Sequence, residues 1–150
     1  MKRYLWITPA VIILDQVSKW AARRMTEPIT LINRIIGLRY TRNTGMAFSF
    51  LSDHIILLIL LSVVLMAAGY AVLRRYTLGA VSRTAAMLML GGTLSNMGDR
   101  LFLGYVTDMI ELLFCSFAIF NVADICLTVG CGLMIFSLLF RPHEWRERHG

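Results

Sequence analysis

Residues 55–73 contain no charged side chain, and Arg74 and Arg75 follow them at once. A run of this length matches the roughly 20 apolar residues that an α-helix needs to cross the hydrocarbon core of a bilayer. The rest of the chain agrees with lipid as its solvent. Of 150 residues, 57% are apolar and 16% are charged, against about 45–50% and about 25% in ordinary soluble domains. Three further apolar runs cover about 4–22, 84–97 and 119–140. The expected fold is therefore membrane all-α, with four transmembrane helices in a single integral membrane domain over 1–150 and no room for a large extramembrane domain.

The first run begins after Lys2 and Arg3 in the manner of a signal peptide. Asp15-Gln16-Val17-Ser18-Lys19 is a poor cleavage region, however, so a retained helix is expected, with Pro9 as an interior kink. The third run is rich in Gly, Ala and Ser, which permits close helix packing within a bundle. Fifteen basic residues against nine acidic ones leave a net charge of +6. The basic residues stand singly or in pairs at the ends of apolar runs rather than in a stripe with aromatics, so a nucleic-acid partner is not expected. Four spans put both termini on one side, and Lys2 with Arg3 assigns that side to the cytoplasm.

The connection over 23–54 is too long for a simple turn. Leu38 and Tyr40 alternate with Arg39 and Thr41, Asn43-Thr44-Gly45 supplies turn chemistry, and Met46, Phe48 and Phe50 alternate with Ala47 and Ser49. This pattern predicts a small extracytoplasmic β-hairpin platform on the membrane surface. No internal repeat or low-complexity segment interrupts the chain.

Acidic residues inside or beside the apolar runs carry the functional signal, because each costs at least a few kcal/mol of insertion energy. Asp15 precedes Lys19 by one helical turn and can pair with it. Asp124 has no basic residue within a turn and needs a partner from elsewhere, while Asn121, three residues earlier, can serve the same ligand. Asp108 is the second isolated acid. On one continuous helix the two carboxyls would lie about 24 Å apart, so the chain must fold back if they are to act together. Meeting at the membrane rim, they would hold one proton between them, the state an aspartic protease requires. Other chemistries lack their residues: there is no GxSxG, no HExxH and no histidine within an apolar run. Cys126 and Cys131 have no metal-ligand spacing, and neither a metal nor a cofactor is expected.

Five motifs now stand in order: Asp15-Gln16-Val17-Ser18-Lys19; Arg42-Asn43-Thr44-Gly45-Met46-Ala47-Phe48-Ser49; Gly91-Gly92-Thr93-Leu94-Ser95-Asn96-Met97-Gly98-Asp99-Arg100; Val106-Thr107-Asp108-Met109-Ile110; and Phe120-Asn121-Val122-Ala123-Asp124-Ile125. Together they resemble the lipoprotein signal peptidase family, signal peptidase II, a membrane aspartic protease of bacteria. The resemblance implies catalytic Asp108 and Asp124, with Asp15, Lys19, Asn43, Gly45, Asn96, Asp99, Arg100, Asn121 and Ala123 binding substrate or bracing the pair. It implies diacylglyceryl-modified prolipoproteins as substrates, cut before the modified cysteine, with membrane lipids as surroundings and globomycin as inhibitor. It also implies the bacterial cytoplasmic (inner) membrane, with the active site at the extracytoplasmic face. Met46, Ser95, Met109 and Ala118 stand where the family often has a small residue, glycine, phenylalanine and proline respectively. The competing reading is a small multispan proton-coupled transporter using Asp124 or Asp15 as an alternately exposed carboxylate.

Overall fold

The computed structural model describes residues 2–45 and 54–147. After a 3-10 turn over Lys2–Tyr4 come α1 (Ile7–Ala22), β1 (Ile29–Ile32), β2 (Ile36–Asn43), α2 (Ile55–Leu73), β3 (Tyr76–Thr77), α3 (Ala80–Leu103), β4 (Val106–Leu112) and α4 (Val122–Phe140). A second 3-10 turn and the two-residue β5 (Arg146–Glu147) complete the described chain. Strands β1, β2 and β4 form an antiparallel sheet in that spatial order, and β3 pairs with β5.

Among the described residues, α2 and α4 are long and apolar enough to cross a membrane. In α2 the apolar residues cover every side, and most face outward, Ile56 at 75% and Val64 at 61% exposure. A water-soluble fold does not leave such a helix uncovered; lipid supplies the missing partner. α1 has 16 residues and α3 carries Arg83, Asp99 and Arg100, so neither has that composition. Pro9 lies in the first turn of α1 rather than its interior. Its missing N–H is one that has no intrahelical acceptor anyway, so the helix needs no kink there. The third apolar run is also longer than its hydropathy suggests, because α3 continues to Leu103 and ends on Gly104 in the left-handed conformation (φ 77°).

Small residues set the helix spacing. A Cβ on Gly92 would lie 2.6 Å from the Ala123 carbonyl oxygen and 2.8 Å from Leu127 Cγ, and one on Gly130 would lie 2.6 Å from Met89 Cγ. Helices α3 and α4 therefore touch backbone to side chain with no room for a methyl group. Gly92→Ala should cost about 1–3 kcal/mol by overpacking. Gly98, with nothing within 4 Å of its would-be Cβ, is the control: Gly98→Ala should stabilise by about 0.5–1 kcal/mol. Thermal unfolding in detergent micelles checks both, and equal midpoints for the two variants would contradict the packing argument.

The sheet departs from the simple alternation of the sequence. Leu38 pairs with Ile110 but Thr41 pairs with Asp108, so two residues of β2 face one of β4 between those points. This bulge reverses which residues of β2 share a face with Asp108. Asn43, beyond it, falls on the Asp108 face, whereas Tyr40 and Arg42 turn to the other. The described partners of β2 are β1 and β4; the expected second arm, with Met46, Phe48 and Phe50, lies outside the described residues.

Candidate functional site

The chain turns back after β4: Phe120 bridges to Ile110, and its carbonyl accepts the Met109 and Ile110 N–H groups at 3.0 and 2.8 Å. This return brings the start of α4 beside the strand that carries Asp108. Asn121 is the N-cap of α4 (φ −132°, ψ 179°), not a residue on its neighbouring face. Its Oδ1 accepts the Asp124 N–H at 2.9 Å and its N–H donates to Asp124 Oδ2 at 3.1 Å, a reciprocal capping box. The remaining polar group of Asn121 points to the other aspartate. Its Nδ2 donates to Asp108 Oδ1 at 2.7 Å. One fully buried residue thus joins the two carboxylates, Asp108 through its side-chain amide and Asp124 through its backbone N–H, although they lie 13 and 3 residues from it in opposite directions.

Each aspartate has further donors. Asn43 Nδ2 reaches Asp108 Oδ2 at 2.9 Å, which the bulge in β2 makes possible. Asn96 Nδ2 reaches Asp124 Oδ1 at 2.8 Å from α3. Burial first, and then the neighbouring Asp124 carboxylate, push Asp108 up to about 6. The Asn43 and Asn121 donors and the more distant Lys19 ammonium pull the other way and only partly offset this.

Beneath the pair lies a buried ionic cluster. Lys19 Nζ, fully buried, contacts Asp15 Oδ2 at 2.7 Å, Asp99 Oδ2 at 3.1 Å and Asn96 Oδ1 at 2.7 Å, so all three ammonium protons have acceptors. The pairing of Asp15 with Lys19 follows from their spacing; Asp99 as a second counter-ion does not. Asp15 Oδ1 accepts the Ala123 N–H at 2.8 Å, one of the donors in the first turn of α4 that the helix cannot satisfy itself. Asp99 Oδ2 accepts the Thr107 N–H at 3.0 Å, immediately before Asp108. The cluster therefore ties α1 and α3 to the backbone on which both site aspartates are carried.

Arg100 Nη2 donates to the Gly45 carbonyl at 2.8 Å, and the Gly45 N–H donates to Asn43 Oδ1 at 2.9 Å, so these two residues fix the turn behind Asn43. Three residues inside the motifs act here without having been given a site role from the sequence. Ser95 Oγ donates to Asp15 Oδ2 at 2.7 Å, Gln16 Nε2 donates to Asp99 Oδ1 at 2.9 Å, and Thr107 Oγ1 accepts from Arg23 at 3.1 Å. Their signal was a polar side chain one position from a candidate site residue, visible but unassignable without the fold.

Asp108, Asp124, Asn43, Asn96 and Arg100 line part of a cavity of about 1510 Å³. The rest of its wall is largely apolar, with Leu58, Leu61 and Leu65 of α2 facing Leu90 of α3 and Leu127 of α4. The arrangement offers two acid–base groups to a ligand whose other part is apolar and elongated.

Fold and site together define a helical membrane enzyme. Two solved bacterial membrane enzymes, determined by the in meso method at 2.3 and 1.9 Å, have the same fold: TM-scores are 0.85 and 0.82 at 25% and 28% identity. The first comparison covers 100% of this chain and 95% of the other, the second 94% and 95%. The signal peptidase (SPase) II family model matches residues 7–140. The chain belongs to the signal peptidase II family. Similar relatives include the lipoprotein signal peptidase of Pasteurella multocida (strain Pm70), 34% identical over 97% of this chain and 93% of the relative. That of Streptococcus pyogenes serotype M5 (strain Manfredo) is 37% identical over 98% and 97%. The chain is thus a membrane peptidase, and the transporter reading falls.

Proposed function

We propose that this chain removes signal peptides from prolipoproteins by aspartic catalysis, with Asp108 and Asp124 sharing one proton and activating water against the bond before a diacylglyceryl-modified cysteine. The observation that carries the reading is the pair of carboxylates joined through Asn121 in the wall of a largely apolar cavity. An aspartic pair needs one ionised and one protonated member at the same pH, and burial of Asp108 beside Asp124 supports that state. The apolar wall suits the signal helix and acyl chains, so that binding energy orients one backbone bond at the carboxylates.

All four helices span the membrane in this reading, forming one domain over 1–150 with spans near 4–22, 55–73, 84–97 and 119–140. The sheet lies at the extracytoplasmic face of the bacterial cytoplasmic membrane and both termini lie in the cytoplasm. Asn43, Gly45 and Arg100 shape the polar part of the cavity where the substrate backbone enters; Asp15, Lys19, Asn96, Asp99, Asn121 and Ala123 hold the pair in place. Globomycin would block the site.

Purified protein in micelles should cleave a diacylglyceryl-modified prolipoprotein, leave the unmodified precursor intact, and be inhibited by globomycin. Equal cleavage of both precursors would remove the lipid requirement, and no cleavage of either would remove the reading. The pH profile gives a second check. Loss of the shared proton removes the acid, so kcat/KM should fall as pH rises through about 6, the value for Asp108 in the free enzyme. Bound substrate excludes water and disfavours the second negative charge further, so the corresponding limb in kcat should lie at higher pH.

A further inference from the structure

The two aspartates differ in what polarises their donors. Asp124 sits in the first turn of α4, whose 19 aligned peptide units present a positive end to it. Its Oδ1 accepts from Asn96, and the orientation of that amide is dictated by its own neighbours. Asn96 Oδ1 accepts from Lys19 Nζ at 2.7 Å and from Asn121 Nδ2 at 3.2 Å; reversed, its NH₂ would face an ammonium group. The ammonium draws electron density through the amide and makes the N–H aimed at Asp124 a stronger donor. Among the described contacts of the donors to Asp108, Asn121 Oδ1 accepts the Asp124 N–H and Asn43 Oδ1 accepts the Gly45 N–H.

We infer that Lys19, acting through the Asn96 amide, keeps the negative charge of the pair on Asp124 and the proton on Asp108. The inference rests on the aspartic reading above and assigns its roles. Asp124 takes a proton from water as the water oxygen bonds the carbonyl carbon, and Asp108 gives its proton to the carbonyl oxygen. The neutral gem-diol then returns a hydroxyl proton to Asp108 while Asp124 protonates the departing cysteine nitrogen and the C–N bond breaks. The pair ends with the one proton it began with.

Other charges surround the pair beside this relay. From α1, Asp15 and Lys19 face the site; from α3, Asp99 and Arg100; from β4, Asp108 itself. Asp15 and Asp99 offset Lys19 at 2.7 and 3.1 Å; what remains of its field reaches both carboxylates through space, whereas its effect through the bond to Asn96 is directed at Asp124 alone. Arg100 acts on both carboxylates, on Asp124 more than on Asp108, and so adds to the same asymmetry.

The test is NMR of the full chain carrying aspartate labelled with carbon-13 at the carboxyl, in micelles without substrate. Asp108→Asn and Asp124→Asn assign the two resonances. As pH falls, the Asp108 signal should move first while that of Asp124 stays at its ionised position. In Asn96→Leu, and in the milder Asn96→Ser, both signals should move together, and kcat should fall about tenfold or more with KM near wild type. Earlier movement of Asp124 in the wild type would overturn the inference, as would an unchanged order in both Asn96 variants. Charge order is read without substrate, so failure to cleave a prolipoprotein would sink the peptidase mechanism and leave the NMR result standing, whereas the reverse failure would sink only the relay.

Discussion

Asp108→Asn and Asp124→Asn should each reduce cleavage of a diacylglyceryl-modified prolipoprotein by about 10³-fold or more, while the protein remains folded. The size follows from the loss of acid–base catalysis at a pair whose members cannot replace each other. Asparagine keeps the shape of aspartate but offers one acceptor oxygen instead of two. At position 108 that leaves either the Asn43 or the Asn121 amide facing another NH₂; at 124, either the Asn96 amide or the Asn121 N–H. Each variant should therefore lose about 1–3 kcal/mol of stability from one unpaired donor, enough to lower the unfolding midpoint but not to abolish the fold. The two substitutions remove one catalytic unit, so the double variant should be little slower than either single one. Cleavage assays beside thermal unfolding in the same micelles check all three statements. A single variant retaining near wild-type turnover would show that the aspartates do not act as a pair.

Much of the candidate site is legible in the sequence. Charges inside or beside the apolar runs are few and costly, so Asp15, Lys19, Asp108 and Asp124 stand out in the sequence, and the family resemblance of the motifs implied their supporting residues. What could not be read is what depends on contacts between distant segments. Asp15 and Lys19 meet by helical spacing, but the second counter-ion, Asp99, lies some eighty positions away in sequence and only packing of α1 on α3 brings it to 3.1 Å. Asn121 had the right residue type for an N-cap, yet its role depends on where α4 begins, which hydropathy blurred because Ile119 and Phe120 are apolar too. The bulge in β2 is the sharpest case. Period-two alternation runs unbroken through Leu38, Arg39, Tyr40 and Thr41 in the sequence, but the pairing slips there, and the slip is what puts Asn43 on the face of Asp108.

Lys19→Met should be the most destabilising single substitution of a charged residue in the described chain, at about 3–5 kcal/mol. Methionine fills a similar volume, so the loss is electrostatic rather than steric. It leaves Asp15 and Asp99, 0% and 2% exposed, with no cation between them, and leaves Asn96 Oδ1 without its ammonium donor. The same network predicts how the loss can be undone. When the carboxylates are neutralised as well, as in Lys19→Met with Asp15→Asn and Asp99→Asn, no buried charge remains uncompensated and most of the stability should return. Activity should not return with it. Asp15 secures the Ala123 N–H of α4 and Asp99 secures the Thr107 N–H of β4, and those two contacts set how the segments carrying Asp124 and Asp108 meet. An asparagine can accept from those N–H groups, but the triple variant has no ammonium to orient the Asn96 amide toward Asp124. Denaturant unfolding in micelles, with prolipoprotein cleavage measured on the same samples, separates the two effects. If the triple variant stays as unstable as Lys19→Met, the cluster holds the helices by packing and not by charge. If it recovers stability and full cleavage together, the cation has no part in preparing the pair.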